Sequence, residues 1–179
     1  MESTLYISEP MSRQTLRNIA HDVRCFLRLS KTNYFPILQI LELIHLIIPE
    51  SNYEILPESQ MERHAEIDVT SKTIYIREDV YIGACNGKGR DRMTLCHEFS
   101  HLLLINVFGF KLSRTYKKKN LRAFEDPEWQ AKCLAGELMM DSDLIVGMDA
   151  NEIALKCGVS KEAATFQLSR NKNDAPFVK

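Results

Sequence analysis

Residues 94–104 read Thr-Leu-Cys-His-Glu-Phe-Ser-His-Leu-Leu-Leu, a His-Glu-x-x-His pattern set in an apolar run. No other stretch limits so strongly what this chain can become. The run suits a buried helix. On a helix, two His residues four apart lie about 40° apart around the axis and about 6 Å apart along it. Both imidazoles can then reach one metal ion from one face. Glu98, beside His97, can turn its carboxylate towards a water on that ion. Two buried imidazoles without partners would carry an uncompensated desolvation cost, so the apolar flanks favour a metal centre over unrelated histidines.

A hydrolytic zinc centre takes three protein ligands and leaves one position open for water or substrate. His97 and His101 supply two. No third His follows at the spacing of His-Glu-x-x-His-x-x-Gly-x-x-His sites. The downstream carboxylates are Glu125, Asp126, Glu128, Glu137, Asp141 and Asp143. Glu128 is the choice among them. It falls in the first turn of a helix announced by Asp126-Pro127, with Asp as cap and Pro at the first helical position. A helix N-terminus favours a charged carboxylate. Ala131 and Ala135 in the next turns allow close approach to the metal helix. Glu137 lies about 180° round that helix from Glu128 and suits a structural ion pair. In such a centre the metal acidifies water and polarises a carbonyl, and Glu98 is the expected general base. Tyr75, Tyr81, Arg92 and Tyr116 are candidate contacts to the substrate or the developing oxyanion, and the sequence does not choose among them.

The remaining chain supplies scaffold. Residues 1–10 read as a loose lead-in. Ser12 can cap a helix over about 13–29, and Pro36 suits the start of a second one ending near Ile48. Together these are the N-terminal helices of 12–48. Period-two alternation over 53–77, with Thr70-Ser71-Lys72 as a hairpin turn, predicts a small sheet of about three strands. Gly83 to Gly89 reads as a break leading into the metal helix, 90–108, which Gly109 would end. It lacks the Gly-Lys-Ser/Thr ending of a phosphate loop. Residues 111–122 are basic and read as a solvated loop. The third-ligand helix spans 127–140. Residues 146–179 form a helical tail with a helix, Gly158 turn, helix outline. The expected organisation is thus one domain over 1–145 with that tail packed on it, in a mostly helical α+β class. His21, His45 and His64 read as non-ligand residues.

Composition narrows the function. Apolar residues make up 45%, charged residues 26%, and the formal net charge is -1. Global charge therefore selects neither nucleic acid nor a membrane surface. Five cysteines without Cys-x-x-Cys fit reduced thiols and a cytoplasmic setting better than a disulfide framework. No secretory signal is apparent, and the most apolar stretch, 35–48, is too short to span a bilayer.

Arg90-Asp-Arg-Met-Thr-Leu-Cys-His-Glu-Phe-Ser-His101 and Glu128-Trp-Gln-Ala-Lys-Cys-Leu-Ala-Gly-Glu-Leu-Met-Met140 resemble the paired motifs of the ImmA/IrrE family of metallopeptidases. Ile153-Ala and Cys-Gly-Val-Ser160 look familial as well. The resemblance covers about 65–168. It implies a zincin-like fold, with zinc (or manganese or another divalent metal) held by His97, His101 and Glu128 and with Glu98 as base. It further implies site-specific cleavage of a DNA-binding repressor in mobile-element, prophage or stress regulation. Lys132, Leu134 and Asp141 depart from the family's Asn, Phe and Pro, and none of these departures removes a ligand. Zincins commonly bind substrate along a sheet edge, and 73–77 is the candidate strand. The competing readings are a DNA-binding regulator using 150–168 and an interaction module with a structural or vestigial metal. Direct nucleic-acid binding is the weaker expectation, because the second tail helix offers few basic groups.

Overall fold

Ser12 starts the first helix by accepting the Thr15 amide at 3.0 Å. In the computed structural model, which describes residues 5–109, 113–115 and 122–174, α1 (Arg13–Phe26) follows this cap. It buries Leu16, Ile19, Ala20 and Val23 at helical spacing. α1 stops short of Leu29, and Arg28 takes a positive φ of 59°. The single helix expected over 36–48 is two pieces, α2 (Ile37–Glu42) and α3 (Ile44–Ile47). Ile37, Ile40, Leu41, Ile44 and Ile48 stay buried across the interruption, so apolar spacing carries no mark of it.

The sheet is a mixed one of β2 (Asn52–Leu56), β3 (Ala65–Asp68) and β4 (Thr73–Arg77) in the order β2-β4-β3. β4 runs parallel to β2 and antiparallel to β3. The hairpin turn is as expected: Asp68 pairs with Thr73, and its carboxylate accepts the Thr70 amide and the Ser71 hydroxyl, both at 2.9 Å. The edge assignment needs correction. β4 is central, both its sides are paired, and Ile74 and Ile76 are fully buried. The outer edges belong to β2 and β3. Alternation alone looks the same in a central and an edge strand, so the sequence could not separate them.

Two short elements also revise expectation. α4 (Glu78–Cys85) follows β4 directly and runs through Gly83, inside the stretch read as a break. Gly83 serves close packing, since a Cβ there would collide with the Asp91 carboxylate. β1 (Leu5–Ile7) pairs with β5 (Ser113–Thr115), and these strands fall in the lead-in and the basic stretch expected to be irregular. The lead-in is also fastened at its far end. The Ser8 amide donates to the Glu125 carbonyl (3.1 Å) and the Met11 amide to that of Phe124 (2.9 Å). The Gln130 side chain donates to the Glu9 carbonyl at 2.7 Å and to the Phe124 carbonyl at 2.9 Å.

The functional helices are α5 (Gly89–Asn106) and α6 (Pro127–Met139), packed against each other, with α6 also against α1. Glu137 on α6 is buried and joins α1 through Arg13 (3.1 Å) and Arg17 (3.3 Å), while Ser142 donates to it at 2.6 Å. This is the structural ion pair expected of it. Two more helices, α7 (Ala150–Cys157) and α8 (Lys161–Asp174), close the chain. Asp149 caps α7, Gly158 turns the corner at φ +64°, and the Ser160 hydroxyl accepts the Ala163 amide at 3.2 Å. Ile153, Cys157 and Ala164 belong to the same buried cluster as Leu95, Phe99 and Leu138. No helix among the described residues is long and apolar enough to cross a membrane.

Arg92 binds the corner to α5. Its guanidinium, 1% exposed, donates to the Cys157 carbonyl at 3.1 Å, to the Gly158 carbonyl, and to the Phe35 carbonyl at 2.7 Å. It also lies 4.0 Å from the centre of the Tyr34 ring. A Cβ at residue 158 would collide with this guanidinium. Removing the cation orphans three buried carbonyls, so Arg92→Ala is expected to lower unfolding stability by roughly 3 kcal/mol. Arg92→Lys should recover little of it, because one ammonium cannot span the same acceptors. Urea denaturation of the three proteins measures both effects.

Candidate metal centre

α5 presents His97 and His101 from one face. Their Nε2 atoms are 3.2 Å apart, with ring centroids at 4.7 Å and planes crossing at 83°. Both rings keep only slight exposure. Glu128 arrives from the first turn of α6. Its Oε2 lies 3.2 Å from His97 Nε2 and its Oε1 3.2 Å from His101 Nε2. Local chemistry puts it there: Asp126 accepts the Glu128 amide at 3.0 Å, and Pro127 occupies the first helical position.

Close helix packing completes the delivery. Ala131 and Ala135 are buried on α6, and the Cys96 thiol of α5 donates to the Ala135 carbonyl at 3.8 Å. Small side chains at the crossing let the two backbones approach. The expectation attached to these alanines is met.

The three donor atoms lie within 4.8 Å of one another, which lets the set hold a metal ion. Two imidazole nitrogens and a carboxylate fit a divalent transition metal and leave a coordination position free. The two imidazoles hold the Glu128 carboxyl well below its ordinary range, mainly through hydrogen bonds from His101 and His97. Glu98, on α5 with the two imidazoles, stands in a different environment. It is 8% exposed, and burial raises its pKa to about 6 against the pull of His97. Glu128 and Glu66 push in the same direction as burial, and Arg63 opposes them. The two carboxyl groups therefore differ in proton affinity because hydrogen bonds from imidazoles dominate at Glu128 and burial dominates at Glu98.

The remaining candidates divide. Tyr75 sits half-buried on the central strand, opposite Glu54 and Glu66. Tyr81 on α4 stacks against Tyr53 at 6.2 Å, and burial pushes its phenol up to about 12. The Arg92 guanidinium is committed to the carbonyls of residues 35, 157 and 158, which holds it away from a substrate role. Tyr116 lies outside the described residues. His21, His45 and His64 are exposed and stand outside the donor group. One feature went unforeseen: a cleft of about 510 Å³ between α5, α6 and α8, with His97 in its wall. Thr94, one turn before His97, and Trp129, next to Glu128, were the available signs of it.

A helix-borne His-Glu-x-x-His completed by a glutamate from a second helix is the donor arrangement of a metallopeptidase. The peptidase family described as "IrrE N-terminal-like domain" matches residues 52–169. The chain belongs to that family, whose members are metal-dependent peptidases of the ImmA/IrrE type. No curated protein matches the chain.

The cysteines give a direct test of burial around the centre. Cys96 is fully buried and its thiol is pushed up to about 12, so it stays protonated at working pH. Cys157 is buried and also raised, whereas Cys25 and Cys85 are exposed. Brief iodoacetamide treatment at pH 8 should modify Cys25 and Cys85 and spare Cys96 and Cys157 until denaturant is added. Peptide mapping by mass spectrometry reads the pattern.

Proposed function

We propose that the chain is a zinc-dependent endopeptidase with His97, His101 and Glu128 as ligands and Glu98 as general base. The supporting observation is the convergence of the three donor atoms beside a buried carboxyl group whose proton affinity is raised by burial. A divalent ion held there supplies an acidified water and a polarised scissile carbonyl. Zinc suits a donor set rich in imidazole; manganese or another divalent metal is the alternative. Glu98 would take the proton of the attacking water and return it to the leaving amine, the role of a general base and then acid. The outer edge of β3, the strand that packs against α5, is the surface along which an extended peptide can pair.

The substrate we infer is a cytoplasmic DNA-binding repressor or a similar regulatory protein, on the strength of the family relationship. The DNA-binding alternative has less support. Within α8 the basic residues are Lys161, Arg170 and Lys172, Glu162 follows Lys161 directly, and Ala164 and Gln167 are buried. Duplex recognition favours a helix with a free, cationic face.

The purified chain should bind about one zinc ion. Glu98→Gln should keep that stoichiometry and lose cleavage by about 100-fold or more. The assay is incubation with a repressor encoded beside the gene, followed by mass spectrometry of the products. Wild-type rates from Glu98→Gln would remove that residue from the mechanism. A fourth protein ligand seen by X-ray absorption would favour a structural metal.

A further inference from the structure

The cleft beside His97 has no part in the metal-binding scheme described above. It measures about 510 Å³, within the range of ligand sites. Its walls come from α5 (Met93, Thr94), α6 (Trp129) and α8 (Ala163, Phe166), and His97 closes the end nearest the donor group. Phe166 is 58% exposed, and the Arg170 guanidinium lies over its ring at 4.8 Å from the centre. The Gln167 carboxamide in the lining is already engaged: it accepts from Arg13 at 3.0 Å and donates to the Met140 carbonyl at 3.4 Å. What the cleft offers an occupant is therefore carbon. Its rim is cationic, with Arg90, Lys132 and Arg170, and no carboxylate stands among the described lining residues. Lys132 stands one turn beyond Glu128 and is exposed.

We propose that this cleft is a specificity subsite: it takes a large apolar side chain of the substrate next to the cleaved bond, followed by an acidic residue that meets the rim. The proposal rests on the peptidase reading above. Continuity supports it, because His97 belongs both to the donor group and to the cleft wall. Neighbouring Cα atoms of a peptide are 3.8 Å apart. A peptide whose scissile carbonyl lies at the donor group thus brings an adjacent side chain to the cleft mouth. Charge complementarity supplies the second half of the specificity.

Trp129 is the single tryptophan of the chain, so its emission reports directly on the cleft. The test uses the zinc-loaded full chain and succinyl hydroxamates, whose hydroxamate anchors on the metal. One pair carries a benzyl side chain or none. A second, benzyl-bearing pair ends in an Asp amide or an Asn amide. The benzyl compound should bind about tenfold tighter or better than the unsubstituted one, and it should shift Trp129 emission. Ala163→Phe, with zinc content and circular dichroism checked, should erase that advantage by filling the cleft. The Asp amide should bind roughly threefold tighter than the Asn amide, and Lys132→Gln should remove the difference.

Equal affinities within the benzyl pair, with both compounds bound, overturn the subsite and leave the peptidase reading standing. Binding with unchanged Trp129 emission does the same. Equal affinities within the Asp/Asn pair overturn the acidic preference. A chain that binds neither zinc nor any hydroxamate overturns the peptidase reading and the subsite together.

Discussion

The crossing of α5 and α6 is the contact on which the site depends. Two imidazoles on one helix cannot by themselves enclose an ion. The third donor sits 27 residues beyond His101, at the start of another helix, and reaches them only because that helix comes close. Cys96, Ala131 and Ala135 make the approach possible. The buried thiol and the two methyl groups leave no bulky side chain to hold the backbones apart. α6 is then held from its far side by Glu137 with Arg13 and Arg17, and near its start by Gln130 with the Glu9 and Phe124 carbonyls. A charged cluster and a carboxamide, neither of them among the donor atoms, thus help set where Glu128 can lie.

The parts of the site that sequence made legible are those with local signals. His97 and His101 follow from a four-residue spacing on an apolar helix. Glu128 follows from its cap, its proline and two small residues downstream. Glu137 was separable from it because nine residues on a helix reach the opposite face. The hairpin at 70–72 was legible for the same reason, since Asp68 ties the turn through its own side chain.

What escaped is what depends on distant segments. The central position of β4 requires β2, which enters parallel from earlier in the chain, and strand alternation holds no record of a neighbour. Gly83 read as a break because a glycine's close contact with Asp91 leaves no trace in local pattern. Arg92 stood among the four candidate substrate contacts, from a position near the motif. Its carbonyl partners at 35, 157 and 158 become neighbours only after folding. The cleft was illegible for the same reason, since its third wall is set by that anchored corner.

The third wall has a further consequence. α8 lines the space beside His97 yet supplies none of the three donor atoms. The three donor atoms and one wall of the cleft beside them therefore lie on different segments of the chain. Substitutions at 163 or 166 can reshape that surface while the donors on α5 and α6 keep their geometry. Duplicated copies of such a gene can diverge at this wall and still keep one inherited set of donor atoms.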